Sequence, residues 1–84
     1  MEYKKVKSIE HLKELLNQKK HHFVVGLCGG GLRSSKWIEN LSDMSGIYVM
    51  HECDGSEETY PWEGIEQSYI GRRIEQGWLY AELD

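Results

Sequence analysis

Phe23-Val24-Val25-Gly26-Leu27-Cys28, then Gly29-Gly30-Gly31, then Leu32-Arg33-Ser34-Ser35-Lys36-Trp37-Ile38-Glu39, is the stretch on which the fold turns. The first run is short, β-branched and bounded by glycines, which reads as a buried strand. Three glycines break the pattern, and residues 32–39 fit a half-exposed second strand. Upstream, Ser8 caps a helix over about residues 8 to 20, with Ile9, Leu12, Leu15 and Leu16 on one face and Lys19 and Lys20 in its last turn. Downstream, Asn40 to Gly46 supplies turn chemistry before a third strand, Ile47 to Cys53, in which Ile47, Val49, His51 and Cys53 share a face. Asp54-Gly55 is a hairpin signal, so a brief edge strand over Glu57 to Tyr60 pairs back before Pro61. Ser68 caps a second short helix that carries Ile70 and Ile74 and stops at Gly77, after which Trp78, Leu79 and Tyr80 fold back onto the core.

These elements make one α+β domain over residues 1–84. It has an N-terminal helix, a three- to four-stranded, mainly antiparallel sheet and a short C-terminal helix. A chain of 84 residues buries only roughly 60% of the surface its unfolded form exposes, which leaves one modest core and little room for a deep enzyme pocket. No apolar run approaches a membrane span, and the Lys-rich start leads into a polar amphipathic stretch, so the expected location is the cytoplasm.

The formal net charge of -4 hides an asymmetry: residues 1–42 hold 8 Lys+Arg and 4 Asp+Glu, whereas residues 43–84 hold 2 and 10. A net acidic chain with an acidic second half is a poor general binder of duplex nucleic acid. It suits a basic protein partner, or a small anion held by a few local cations.

Gly29-Gly30-Gly31-Leu32-Arg33-Ser34-Ser35-Lys36 is the segment best suited to chemistry. Consecutive glycines can aim backbone N–H groups at one point, and Arg33, Ser34, Ser35 and Lys36 complete a phosphate-binding inventory. The segment is not a P-loop, because the Gly-Lys-Ser/Thr order and spacing are absent and no long helix follows, nor is it Ser-x-x-Lys, because the residue three after Ser34 is Trp37. Strand alternation sends Arg33, Ser35 and Trp37 to one side and Ser34 and Lys36 to the other, with Leu32 and Ile38. One ligand then meets all four polar groups only through a bulge or a second subunit, which favours a homo-oligomer.

Arg72 and Arg73, with Tyr69 and Trp62 or Trp78 close by in sequence, form a second cationic and aromatic patch able to stack on a base. The plainer reading of the two arginines is a solvated helix face. Cys28, His51 and Cys53 do not complete a zinc pattern, no nucleophile, base and oxyanion set converges, and no metal, cofactor or catalytic residue is expected. The acidic cluster Glu52, Asp54, Glu57 and Glu58 reads first as a solvated hairpin, and with Glu63 it could instead mimic phosphate spacing.

The run from the glycines through Lys36 and Ile38, with Ile47-Tyr48-Val49-Met50-His51-Glu52-Cys53-Asp54-Gly55 and Ser68-Tyr69-Ile70-Gly71-Arg72-Arg73-Ile74-Glu75-Gln76-Gly77-Trp78, resembles a group of short uncharacterised bacteriophage and mobile-element proteins. The likeness covers roughly residues 23–80 and centres on Gly29, Gly30, Arg33, Ser34, Ser35, Lys36, Ile38, Asp54, Ile70 and Gly77. Trp37 and Trp78 are bulkier than that pattern, and no established activity comes with the resemblance. A small acidic phage protein is similar in type to inhibitors of bacterial immunity, which block a host protein or sequester a nucleotide signal.

Two expectations follow. In the leading one, a non-enzymatic phage-type accessory protein binds a phosphate-bearing nucleotide signal and keeps it from a host defence effector in the host cytoplasm. Gly29, Gly30, Gly31, Arg33, Ser34, Ser35 and Lys36 would hold phosphate, Trp37, Tyr69 or Trp78 would stack on the base, and Arg72 and Arg73 would add charge. In the other, an anti-CRISPR-like inhibitor lays its acidic second half into the basic nucleic-acid groove of a host nuclease.

Overall fold

The structure, a computed structural model, describes residues 2–26 and 33–83. Its elements are β1 (Glu2–Lys5), α1 (Ile9–Asn17), β2 (His22–Gly26), β3 (Arg33–Asn40), β4 (Gly46–His51), β5 (Ser56–Pro61), a 3₁₀ turn (Ile65–Gln67), α2 (Tyr69–Gln76) and β6 (Leu79–Leu83). No helix among the described residues is long and apolar enough to cross a membrane.

The α+β class holds, but the strand number expected from the sequence is too low: six strands form one sheet in the order β1-β6-β2-β3-β4-β5. Every neighbouring pair is antiparallel. The chain does not open on a helix either, since β1 precedes α1. Both unexpected strands escape a pattern search for physical reasons. Glu2-Tyr3-Lys4-Lys5 is a four-residue polar edge with no buried member, and Leu79 and Ala81 are the only buried residues of β6. Residues 78–80 therefore do more than fold back onto the core: they lead into a strand inserted between β1 and β2.

Ser8 caps α1 as the sequence predicts, in extended backbone with Oγ accepting from the His11 N–H at 3.1 Å. The helix stops at Asn17, short of residue 20. Lys19 adopts φ 65°, its N–H bonds to Leu16 O, and the Lys20 N–H bonds back to Leu15 O. That is a Schellman ending with a lysine in the place glycine usually takes. At the second helix Ser68 and Gly77 (φ 78°) are the caps, and Gly55 (φ 75°) turns the β4–β5 hairpin.

Both helices lie on one face of the sheet. Leu12, Leu15 and Leu16 of α1 and Ile70 and Ile74 of α2 join Ile65, Phe23, Val25, Ile38, Ile47, Val49, Leu79 and Ala81 in a single buried cluster. Fully burying a side chain of this kind contributes about 1.5 to 3 kcal/mol. Ser68 ties the 3₁₀ turn to α2: its Oγ accepts from the Gly71 N–H at 3.2 Å and donates to Ile65 O at 2.6 Å. Ser68→Ala is expected to lower stability by about 1 kcal/mol. The effect should appear as a lower urea midpoint at unchanged slope, and an unchanged midpoint would show that packing alone holds this junction.

Candidate functional site

Ser34 and Lys36 stand two apart on β3 and so share the face that the helices cover. Lys36 lies opposite Phe23 of β2 and His51 of β4 and is only 3% exposed, the one buried polar or charged residue among those described. Lysine is almost never buried to this degree without a partner of opposite charge. Its Nζ donates to Ser34 Oγ at 2.5 Å and sits 5.7 Å from the centre of the Tyr69 ring.

Tyr69 and Arg73 are one turn apart on α2 and project together. The guanidinium carbon of Arg73 is 4.9 Å from the Tyr69 ring centre and 5.4 Å from that of Trp78, which follows the Gly77 cap. His51 meets the Tyr69 ring edge-on at 5.6 Å. One half-buried aromatic ring is thus shared by two cations and an imidazole.

The electrostatics of this cluster are unbalanced. Among the described residues no carboxylate lies within ion-pair distance of Lys36 or Arg73; the two ion pairs found are Lys13 with Glu10 and His51 with Glu58. Arg73 donates from Nη1 to Gln76 at 2.6 Å, and its buried Nε finds no acceptor among the described residues. Burial pulls the Lys36 amine below the ordinary lysine value, against the weaker opposing pull of Cys53 and Asp54. Burial likewise raises the Tyr69 phenol, and Arg73 partly offsets this. A bound anion would reverse the penalty on Lys36 and give Arg73 Nε its acceptor.

The structure brings together Ser34, Lys36, Tyr69, Arg73 and Trp78 of the residues singled out from sequence. Trp37 is on the opposite face of β3, stacked on His21 at 4.9 Å and donating to Glu39 at 2.9 Å. Ser35 is exposed and also faces away, and Arg72 is exposed on α2, so Trp37, Ser35 and Arg72 do not join the cluster. Gly29, Gly30 and Gly31 lie outside the described residues, and Arg33 is described only as the backbone partner of Gly26.

His51, Glu58 and Tyr60 are the neighbours that sequence reasoning did not connect to this place. Glu58 accepts from Tyr60 and, at 3.2 Å, from His51, and these bonds hold its carboxyl below the usual range. The signal that finds His51 is strand register, which seats it beside Lys36. No group of three or more His, Cys, Asp or Glu able to hold a metal occurs among the described residues. Cys53 is an exposed free thiol, and Cys28 is outside the described residues.

The acidic hairpin is exposed but partly occupied with its own donors. Asp54 accepts from the Ser56 N–H and hydroxyl at 2.9 and 2.8 Å, and Glu57 accepts from Tyr48 at 2.5 Å. Two concavities lie at the Asn40 end of β3, both bordered by Asn17, Asn40 and Met44; one holds Lys13, 4.9 Å from the Trp62 ring centre, but that lysine is half-exposed and paired with Glu10. A buried lysine beside an arginine, neither within ion-pair distance of a carboxylate among the described residues, makes the Lys36 end the candidate instead. Comparison of the chain with protein-family models, with curated proteins and with solved structures returned no match.

Proposed function

We propose that this chain is a non-enzymatic binding protein for a phosphate-bearing nucleotide, taken up between Lys36, Ser34, Tyr69, Arg73 and Trp78. One observation carries the reading: a buried lysine and a half-buried arginine flank the same tyrosine ring with no carboxylate partner among the described residues. Two cations so placed repel one another and lack solvent, and a phosphate answers both deficits with charge-assisted hydrogen bonds. Tyr69 or Trp78 offers the base a stacking surface.

The biological role in this reading is that of a phage-type accessory protein that withholds a nucleotide signal from a host defence effector. It rests on the resemblance to short phage proteins. Sequestration at nanomolar affinity requires roughly -12 kcal/mol. Two cations and one or two rings reach that figure more readily when two copies share a ligand, so a homo-oligomer belongs to the proposal.

Calorimetry against a panel of cyclic and linear nucleotides, with light scattering on the same samples, tests it. The expected result is heat for at least one nucleotide from an oligomer, with Arg73→Gln weakening binding roughly 10- to 100-fold, the range of a lost hydrogen bond to a charged group. A strict monomer that gives no heat overturns the reading. So does full function in Arg73→Gln with loss on charge reversal of Glu52, Asp54, Glu57, Glu58 and Glu63, which would assign the function to the acidic hairpin.

A further inference from the structure

We infer that Lys36 is a nucleophilic amine that captures anionic aldehydes and ketones as a reversible imine, with Ser34 moving the proton and Arg73 holding the ligand's phosphate or carboxylate. The inference rests on the reading of this cluster as a ligand site and adds a covalent step to it.

The geometry carries it in three parts. The amine is 3% exposed, and an ammonium taken out of water loses more than the neutral amine does, so a larger share of Lys36 has a free electron pair than of any exposed lysine; the downward shift of its titration agrees. Arg73, a second cation, packs against the same ring, and a like charge nearby disfavours the ammonium, while Cys53 and Asp54 pull more weakly the other way. Ser34 Oγ is 2.5 Å from Nζ and can both accept and donate a proton. Ser34, Tyr69 and Arg73 are each half-buried, so the neighbours of the amine, unlike the amine itself, reach the surface, and it is there that the proposed ligand enters.

The chemistry balances. The neutral Nζ attacks the carbonyl carbon, the π electrons move to the oxygen, and a proton passes from nitrogen to that oxygen through the Ser34 hydroxyl to give a carbinolamine. The remaining N–H proton passes to the carbinolamine hydroxyl, again through Ser34, and that oxygen leaves as water while the nitrogen electron pair forms the C=N bond. No electrons are gained or lost overall, and added water returns the free amine and the carbonyl compound. The fitting ligand has its carbonyl at one end, for Lys36, and an anion at the other, for Arg73, both beside the Tyr69 ring.

The chain has its own internal control. The six other lysines all lie within residues 4–20 and are exposed or half-buried. The test incubates the full chain with a substoichiometric amount of pyridoxal 5′-phosphate at neutral pH, reduces with borohydride and locates the pyridoxyl group by peptide mass spectrometry. Label on Lys36 at tenfold or more over any other lysine is expected. Pyridoxal without phosphate, and the Arg73→Gln variant with phosphate, should each lose most of that preference. Lys36→Arg, checked for folding by circular dichroism, should show only the background on the other lysines. Label spread over residues 4–20 with Lys36 spared overturns the inference. If a nucleotide still gives heat in that case, the imine alone falls and non-covalent binding stands; if it gives none, the site itself is wrong.

Discussion

Gly71→Ala should be among the most destabilising single substitutions in this chain, about 3 kcal/mol, although the same change in an exposed helix stabilises by roughly 1 kcal/mol. Gly71 is buried in α2. A Cβ there would lie 2.1 Å from Ile65 O and 2.6 Å from the Glu66 Cα, and both obstacles are backbone, which cannot rotate away. The 3₁₀ turn must therefore separate from the helix, and the Ser68 bonds to Ile65 O and the Gly71 N–H stretch with it. Overpacking of this kind costs typically 1 to 3 kcal/mol and sometimes more; contact with rigid main chain puts the estimate at the upper end. For a domain of this size each kcal/mol moves Tm by about 4 to 8 °C, so a fall of roughly 12 to 24 °C is expected by circular dichroism. The helix carries Tyr69 and Arg73, so any folded Gly71→Ala should also bind anions more weakly. An unchanged or higher Tm would mean that the turn yields freely and that helix propensity governs the position.

The parts of the fold legible in the sequence are those fixed within a few residues. Ser8 and Ser68 as caps, Gly77 as a stop and Asp54-Gly55 as a turn all depend on local backbone chemistry, and the structure has each in that role. Alternation along β3 separates Lys36 and Ile38 from Trp37, and that separation is present. What was not legible depends on partners far apart in the chain. β1 is a polar edge given its place by pairing with β6, some eighty residues later in register (Glu2 with Leu83). The meeting of Lys36 with His51, and of both with Tyr69, needs the β3–β4 register and the docking of α2 together. The residue types of the proposed anion site are visible in the sequence; which of them converge is decided by the sheet, and it leaves Trp37 and Arg72 out.

Lys36→Met is expected to raise stability at neutral pH by about 1 to 3 kcal/mol while weakening phosphate-ligand binding roughly a hundredfold. Methionine is unbranched and fills the same channel without a charge, and exchanging a buried charged group for an apolar one of similar size is often stabilising by this amount. The pH dependence tells this mechanism from simple repacking. The folded-state value of Lys36 lies below its unfolded value of 10.5, so the unfolded chain holds the proton more tightly. Below the folded value both states are charged and the full penalty of burial is present. Between the folded value and 10.5 the folded state has shed its proton first, and the penalty fades as pH rises. The advantage of Lys36→Met should therefore be largest near neutral pH and shrink toward pH 10, measured as urea midpoints across that range. Saturating phosphate ligand should act the other way, stabilising the native chain by about 2.7 kcal/mol at a hundredfold excess over Kd and leaving the variant nearly unmoved. A less stable Lys36→Met would show instead that the ammonium is already compensated within the folded chain. In that event the two cations beside Tyr69 have no deficit for a ligand to answer.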